Sequence, residues 1–337
     1  MRFKNIFFAA AAAMALTACS SDDEQSFVSQ YPEDGVMRFT TNLVDPAAAL
    51  TRASITSSDV NQNGQQFQVK IVNPTSATYS YFNTVQYASD EWMPVNRMLW
   101  QNDQQAITVT AAYKQEKAFS DYEFINGANL TVAADQSSQA NLNAQDLLTM
   151  PTKTISNPSQ ETTLLQGGKL VINFYHALTK LDVTLDLGDE FYKANPKLNN
   201  ASDITEFTIK GTNAGYNFLP MQTAGENYGT VTATASTAAD ILAFQGAFTA
   251  ATDEDKHSHA TYESIIVPQQ IAAGALTVSF KIGTRSFSWT NTEAYTLEQG
   301  KKYTLPLTVG NNTVTAGSRA FTASNWNDGT GSNLATE

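Results

Sequence analysis

Few residues in this chain have the type and spacing to do chemistry. Cys19 is the only thiol among 337 residues. It has no disulfide partner in the chain and cannot join a Cys-based metal set. His257 and His259 alternate within Thr252-Asp253-Glu254-Asp255-Lys256-His257-Ser258-His259. Alternate histidines beside acids can share a metal. This stretch is strongly polar without apolar periodicity, however, so it predicts a solvated loop and no metal site. His176 follows Phe174-Tyr175 between two strand patterns and reads as a structural histidine at a bend. Asn325-Trp326-Asn327-Asp328-Gly329 lacks the alternating acids of a calcium loop, because Ser324 and Trp326 occupy those places. Asp328-Gly329 is a turn, and Asp189-Glu190 closes a strand. No glycine-rich phosphate loop, Ser-His-Asp set or zinc signature occurs. The expectation is a non-enzyme without cofactor or metal.

Cys19 has a different chemistry open to it. Arg2 and Lys4 precede an uncharged run from Ile6 to Ala18. That run is shorter than the roughly 20 apolar residues a membrane helix needs. A charged start, an apolar middle and a small-residue end make residues 1–18 a secretory signal. Leu16-Thr17-Ala18-Cys19 resembles the lipobox of bacterial lipoproteins. That resemblance implies cleavage before Cys19, acylation of its thiol by chains such as palmitate, and anchoring in the outer membrane. Ser20-Ser21-Asp22-Asp23-Glu24 resembles the acidic tag that sends Bacteroidales lipoproteins to the cell surface. Residues 19–35 are polar and read as a tether.

The bulk composition agrees with an exported protein. Formal net charge is −12. It becomes −14 once the signal leaves, because Arg2 and Lys4 go and no acid does. An acidic surface disfavours nucleic acid as a partner. Without disulfides, stability must come from burial, and 42% hydrophobic residues suffice for that.

Strand alternation dominates the elements available to position these residues. Met37, Phe39, Thr41 and Leu43 share one face of a predicted strand from Val36 to Val44, with Arg38, Thr40 and Asn42 on the other. Phe67, Val69 and Ile71 form a second strand, and Ile107, Val109 and Ala111 a third. Leu170, Ile172 and Phe174 precede the clearest case, in which Leu181, Val183, Leu185 and Leu187 interleave with Lys180, Asp182, Thr184 and Asp186. There the polar residues are expected to face water. Further strands fall around Leu276–Ile282, Phe287–Trp289 and Tyr303–Val309. Short helices are expected near Ala140–Leu148 and Ala238–Phe244. The loop-like stretch from Pro151 to Gly168 separates an N-terminal domain, residues 36–162, from a C-terminal domain, residues 163–337. The expected fold is all-β, with two β-sandwich domains in tandem.

Six features in order resemble the fimbrillin family, lipoprotein subunits of type V pili in Bacteroidales. They are the lipobox; the Val36–Val44 strand followed by Leu50-Thr51-Arg52-Ala53; Phe174-Tyr175-His176-Ala177-Leu178-Thr179-Lys180-Leu181; Ile265-Ile266-Val267-Pro268-Gln269; Gly300-Lys301-Lys302-Tyr303; and Trp326 with Gly329. The resemblance implies transthyretin-like sandwiches and assembly by strand exchange into a homo- or heteropolymer with other fimbrillin subunits. It implies that Met37, Phe39 and Leu43 belong to a self-complementing strand. An arginine-specific or trypsin-like protease would cut between Arg52 and Ala53, and a strand from another subunit would replace the one released. Thr313 to Phe321 could act as a donor. Stalk, tip and anchor positions all stay open, as does a host or bacterial surface ligand for adhesion. The alternative reading is a monomeric surface lipoprotein that binds glycans on Trp92, Trp100, Trp289 or Trp326.

Overall fold

The structure, a computed structural model, describes residues 28–43, 60–194, 197–221, 229–234, 238–316, 321–326 and 331–332. It is mainly β. The first nine strands are β1 (Arg38–Leu43), β2 (Gln66–Val72), β3 (Tyr81–Ala88), β4 (Glu91–Pro94), β5 (Ile107–Lys114), β6 (Ala128–Thr131), β7 (Leu147–Ile155), β8 (Leu165–Gln166) and β9 (Lys169–His176). Next come β10 (Thr179–Leu187), β11 (Ile204–Asn213), β12 (Gly215–Leu219), β13 (Thr230–Ala233), β14 (Ala238–Leu242), β15 (Phe244–Thr249) and β16 (Ser258–Ile266). The last are β17 (Gln269–Ile271), β18 (Thr277–Ile282), β19 (Arg285–Thr290), β20 (Tyr295–Leu297), β21 (Lys301–Val309), β22 (Val314–Ala316), β23 (Thr322–Asn325) and β24 (Gly331–Ser332).

The first body is one hydrogen-bonded circuit. Its strand order is β1-β4-β3-β2-β5-β7-β9, with β8 folded back on β9, and β1 also pairs with β9. The inward residues of the alternating strands, among them Phe67, Val69, Ile71, Ile107, Val109 and Ile172, form its core. In the second body the sheet β15-β16-β10-β21-β23-β24, with β22 also on β21, shares a core with the sheet β14-β11-β18-β19. Leu181, Val183, Leu185 and Leu187 supply one side, and Phe207, Ile209, Val278 and Phe280 supply the other. Gly211 makes this possible at a kink in β11. The ladder with β14 shifts register between Ile209 and Thr212. Gly211 sits there at φ +91°, where a Cβ would come within 1.9 Å of the Ala275 carbonyl oxygen.

The two bodies share a third core, and here the structure departs from the expected division. β8 and β9 pair in the first sheet, so the change of sheet falls at Ala177–Leu178 and not between residues 162 and 163. β6 of the first half pairs with β12 of the second through four register pairs from Gly215↔Thr131 to Phe218↔Ala128. Phe119, Phe124, Tyr216, Phe218, Ile265 and Trp326 pack together across the junction. The buried side-chain amide of Gln136 donates to the Ile265 carbonyl at 2.9 Å and accepts from the Ile265 N–H at 2.8 Å.

Three further expectations are corrected. The helix Gln139–Gln145 forms, but Leu147 and Leu148 already belong to β7. The second expected helix is strand β14, because β11 offers it a ladder. On β10, Lys180 and Asp182 are buried and do not face water. They lie at the end of the sheet that meets the first body, where Ile265 opposite Lys180 belongs to the shared core. They are held as an ion-pair cluster. Lys180 Nζ lies 2.6 Å from Glu263 and 3.7 Å from Asp182, and Lys302 lies 3.6 Å from Asp182. Burial pushes the Glu263 carboxyl up, while Lys180 pulls it back.

Candidate functional site

The first strand closes the first body. β1 runs parallel to β9 through six register pairs, from Arg38↔Lys169 to Leu43↔Phe174. Towards β4 it has a single register pair, Phe39↔Trp92. A cavity of about 290 Å³ opens along that second side, bordered by Arg38, Trp92, Met93 and Lys169. Before β1 the chain is pinned by the Met37 N–H donating to the Met98 carbonyl at 3.0 Å and by a bridge between Val36 and Leu99.

Alternation on β1 follows the sequence pattern. Met37 and Phe39 are 1% and 2% exposed, and Leu43 is half-buried at the strand's end. Arg38 and Asn42 point to solvent. Phe39 meets Phe67 edge-on at 6.2 Å between ring centroids, and Phe67 meets Phe174 and Trp92 at 5.5 and 4.9 Å. Thr41 shares the inner face and is satisfied there. The Trp92 indole N–H donates to its hydroxyl at 3.0 Å and to Asn61 Oδ1 at 2.9 Å, while the Thr41 hydroxyl donates to the same Asn61 oxygen. Outside, the Arg38 guanidinium pairs with Asp34 and holds that carboxyl well below the usual range, at about 2. β1 is therefore a plug with an apolar inner face, tied on one long edge and loose on the other.

Cys19, Arg52 and Ala53 lie outside the described residues, as does Val44. Residues 44–65 lie between β1 and β2 in the sequence, and Arg52 is among them.

The histidines take structural places. His176 is buried at the end of β9. Its Nδ1 lies 2.8 Å from an Asp146 oxygen, and its ring stacks on Trp326 with centroids 4.0 Å apart. Asp146 and the packing role of Trp326 gave no signal in the sequence, because His176, the partner of both, is 30 residues from Asp146 and 150 from Trp326. His257 ends a loop, whereas His259 belongs to β16, and both turn toward Asp186. The distances are 2.6 and 3.9 Å, and His259 also lies 3.3 Å from Asp255. Among the described residues no group of three His, Cys, Asp or Glu side chains is placed to hold a metal. Three of the four candidate sugar-stacking tryptophans are interior: Trp92, Trp100 and Trp326 are 5%, 4% and 2% exposed. Trp289 is half-buried against Phe321.

A family model described as fimbrillin-like matches residues 51–326. The chain belongs to the fimbrillin-like family. It is thus a fimbrial or adhesin-like subunit of a structural family, associated with the cell-surface fimbrium and with other subunits of its kind. Two crystal structures share its fold. One, described as a candidate cell adhesion protein from Bacteroides uniformis, is 18% identical with a TM-score of 0.53, covering 88% of this chain and 99% of that one. The other, described in the same terms and from Bacteroides ovatus, is 13% identical with a TM-score of 0.57, covering 90% and 98%. No curated protein sequence matches the chain.

Proposed function

We propose that this fimbrillin-like chain is a structural subunit of a surface fimbria that serves adhesion and polymerises by strand exchange. It is exported behind the signal of residues 1–18, acylated at Cys19, and displayed on the outer membrane. While it is a monomer, β1 fills the furrow of its own first body. A trypsin-like or arginine-specific protease then cuts between Arg52 and Ala53. A strand of another subunit takes the place of β1.

The observation that carries this reading is the way β1 is held. It has a full parallel ladder with β9, one pair with β4, and Met37 and Phe39 buried beneath it. A strand of this size makes roughly six ladder bonds worth about 0.5–1.5 kcal/mol net each. Its large apolar side chains add about 1.5–3 kcal/mol each. The gross gain, on the order of 10 kcal/mol before ordering costs, keeps the furrow filled until a competitor arrives. Cleavage in residues 44–59 turns loss of β1 from a local opening into a separation of two chains. Donor-strand addition then satisfies the same backbone edge. At the other end of the chain, Val314–Ala316 makes only three register pairs with β21, which suits the expectation that Thr313 to Phe321 can be given away.

Limited trypsin digestion tests the reading. The first cut is expected after Arg52, followed by multimers that the Arg52→Ala protein does not form under the same treatment. Normal assembly of Arg52→Ala would falsify strand exchange by this route.

A further inference from the structure

We propose that the end of the second body remote from the first carries a binding cleft for an acidic sugar, a ring bearing a carboxylate among hydroxyls. β10 leaves the junction at Thr179 and ends at Leu187. Beyond it, Phe191, Ala194, residues 197–203 and the turn between β18 and β19 line an open cavity of about 720 Å³. Cavities of this size accommodate small organic ligands. Its floor is apolar, made by Phe191, Leu198 and Ile282. Its rim carries neutral hydrogen-bonding groups, with Asn199, Asn200 and Ser202 exposed.

Two cations line this cleft in a chain whose net charge is −12. The Arg285 guanidinium lies over the Phe191 and Phe287 rings, 5.0 and 5.4 Å from their centroids. Its Nη1 is tied to Asn311 through the carbonyl oxygen at 2.9 Å and through Oδ1. Its Nε and Nη2 have no protein acceptor among the described residues. The Lys197 ammonium sits 4.0 Å from the centroid of Tyr192, also without an acid among them. Among the described residues the one carboxylate lining the cleft, Asp203, is already engaged. Its Oδ2 accepts from the N–H groups of Asn199 and Asn200, both at 3.0 Å.

The chemistry of the ligand follows from these parts. A guanidinium fixed by stacking, with its Nε–Nη2 edge open, matches a carboxylate through two parallel bonds. Amides and a hydroxyl around an apolar floor suit a sugar ring, which offers hydroxyls at its edge and C–H groups on its face. A neutral sugar leaves both cations unused, and inorganic phosphate leaves the floor uncovered.

Calorimetric titration of the full uncleaved chain tests this independently of strand exchange. The probes are glucuronate, N-acetylneuraminate, glucose and inorganic phosphate. At least one of the two sugar acids is expected to bind saturably and about tenfold or more tighter than glucose or phosphate, as one charge-assisted contact predicts. Lys197→Ala and Arg285→Lys should each weaken that binding several-fold while leaving the melting temperature near that of the parent. Arg285→Lys keeps the charge and loses the paired geometry, so it separates fork recognition from simple attraction. The proposal is overturned by glucose or phosphate binding as tightly as the sugar acids, by unchanged affinity in the Lys197→Ala/Arg285→Lys double variant, or by no saturable binding of either sugar acid.

Discussion

At the scale of single residues, burial and partners separate side chains that look alike in the sequence. Phe39 and Arg38 are neighbours on β1, yet Phe39 packs on Phe67 in the core while Arg38 holds an exposed pair with Asp34. Phe39→Ala is expected to lower stability by about 3–5 kcal/mol, the usual cost of emptying a phenylalanine site. Arg38→Ala should leave the urea midpoint almost unchanged, since exposed ion pairs contribute little. Equal losses in the two urea titrations would mean that β1 does not pack as described. His257 gives a pH signature instead. Asp186 raises its pKa above the ordinary 6.5, with Asp255 and Asp189 adding to the effect. The folded state therefore holds the imidazole proton more tightly than the unfolded chain. That contribution is complete below the ordinary value and vanishes as pH rises through the raised one. The difference in melting temperature between the parent and His257→Gln should accordingly shrink from pH 5.5 to about pH 8. A difference that grows over that interval would contradict the Asp186 contact.

Elements show what alternation can and cannot disclose. β1, β2, β5, β9, β10, β18 and β21 are legible because inward and outward residues differ in polarity along each strand. Lys180 and Asp182 alternate just as cleanly, and there the pattern misleads. Alternation reports which residues share a face, not what covers it, and the core shared by Ile265, opposite Lys180, draws on residues far upstream such as Phe119 and Phe124. β14 misleads in another way. Ala238, Ile241 and Leu242 are spaced as on a helix, and only the presence of β11 decides for a strand. In the seam, burial of Met37 and Phe39 was readable, whereas the six-pair parallel ladder to β9 was not, because register across 131 residues leaves no local trace. β1 also carries an element-scale prediction. After cleavage at Arg52, a synthetic peptide spanning residues 36–44 should compete with multimer formation, and the same peptide with Phe39 replaced by Asp should not. Competition of equal strength by both peptides would show that the furrow does not read the inward face of the strand.

For the molecule as a whole, the shared core makes the two halves a mechanical unit, which suits the place in a polymer proposed above. β9 completes the first sheet, β6 completes the sheet begun by β12 and β13, and Gln136 closes the gap by pairing with both backbone groups of Ile265. A division at residue 162 would remove β8 and β9, and with them the strand against which β1 lies. A fragment of residues 28–178 should accordingly show cooperative thermal unfolding, whereas residues 28–162 should not. In the intact chain, Gln136→Leu should cost about 2–6 kcal/mol. It orphans a buried N–H and a buried carbonyl together, at about 1–3 kcal/mol for each group. Its calorimetric trace should either keep a single transition at lower temperature or split into two as the bodies uncouple. An unchanged trace would mean that the junction does not transmit stability from one body to the other. A load applied to the first body would then reach the second through Ala177–Leu178, the β6–β12 ladder and the shared apolar core, without the Gln136 contact.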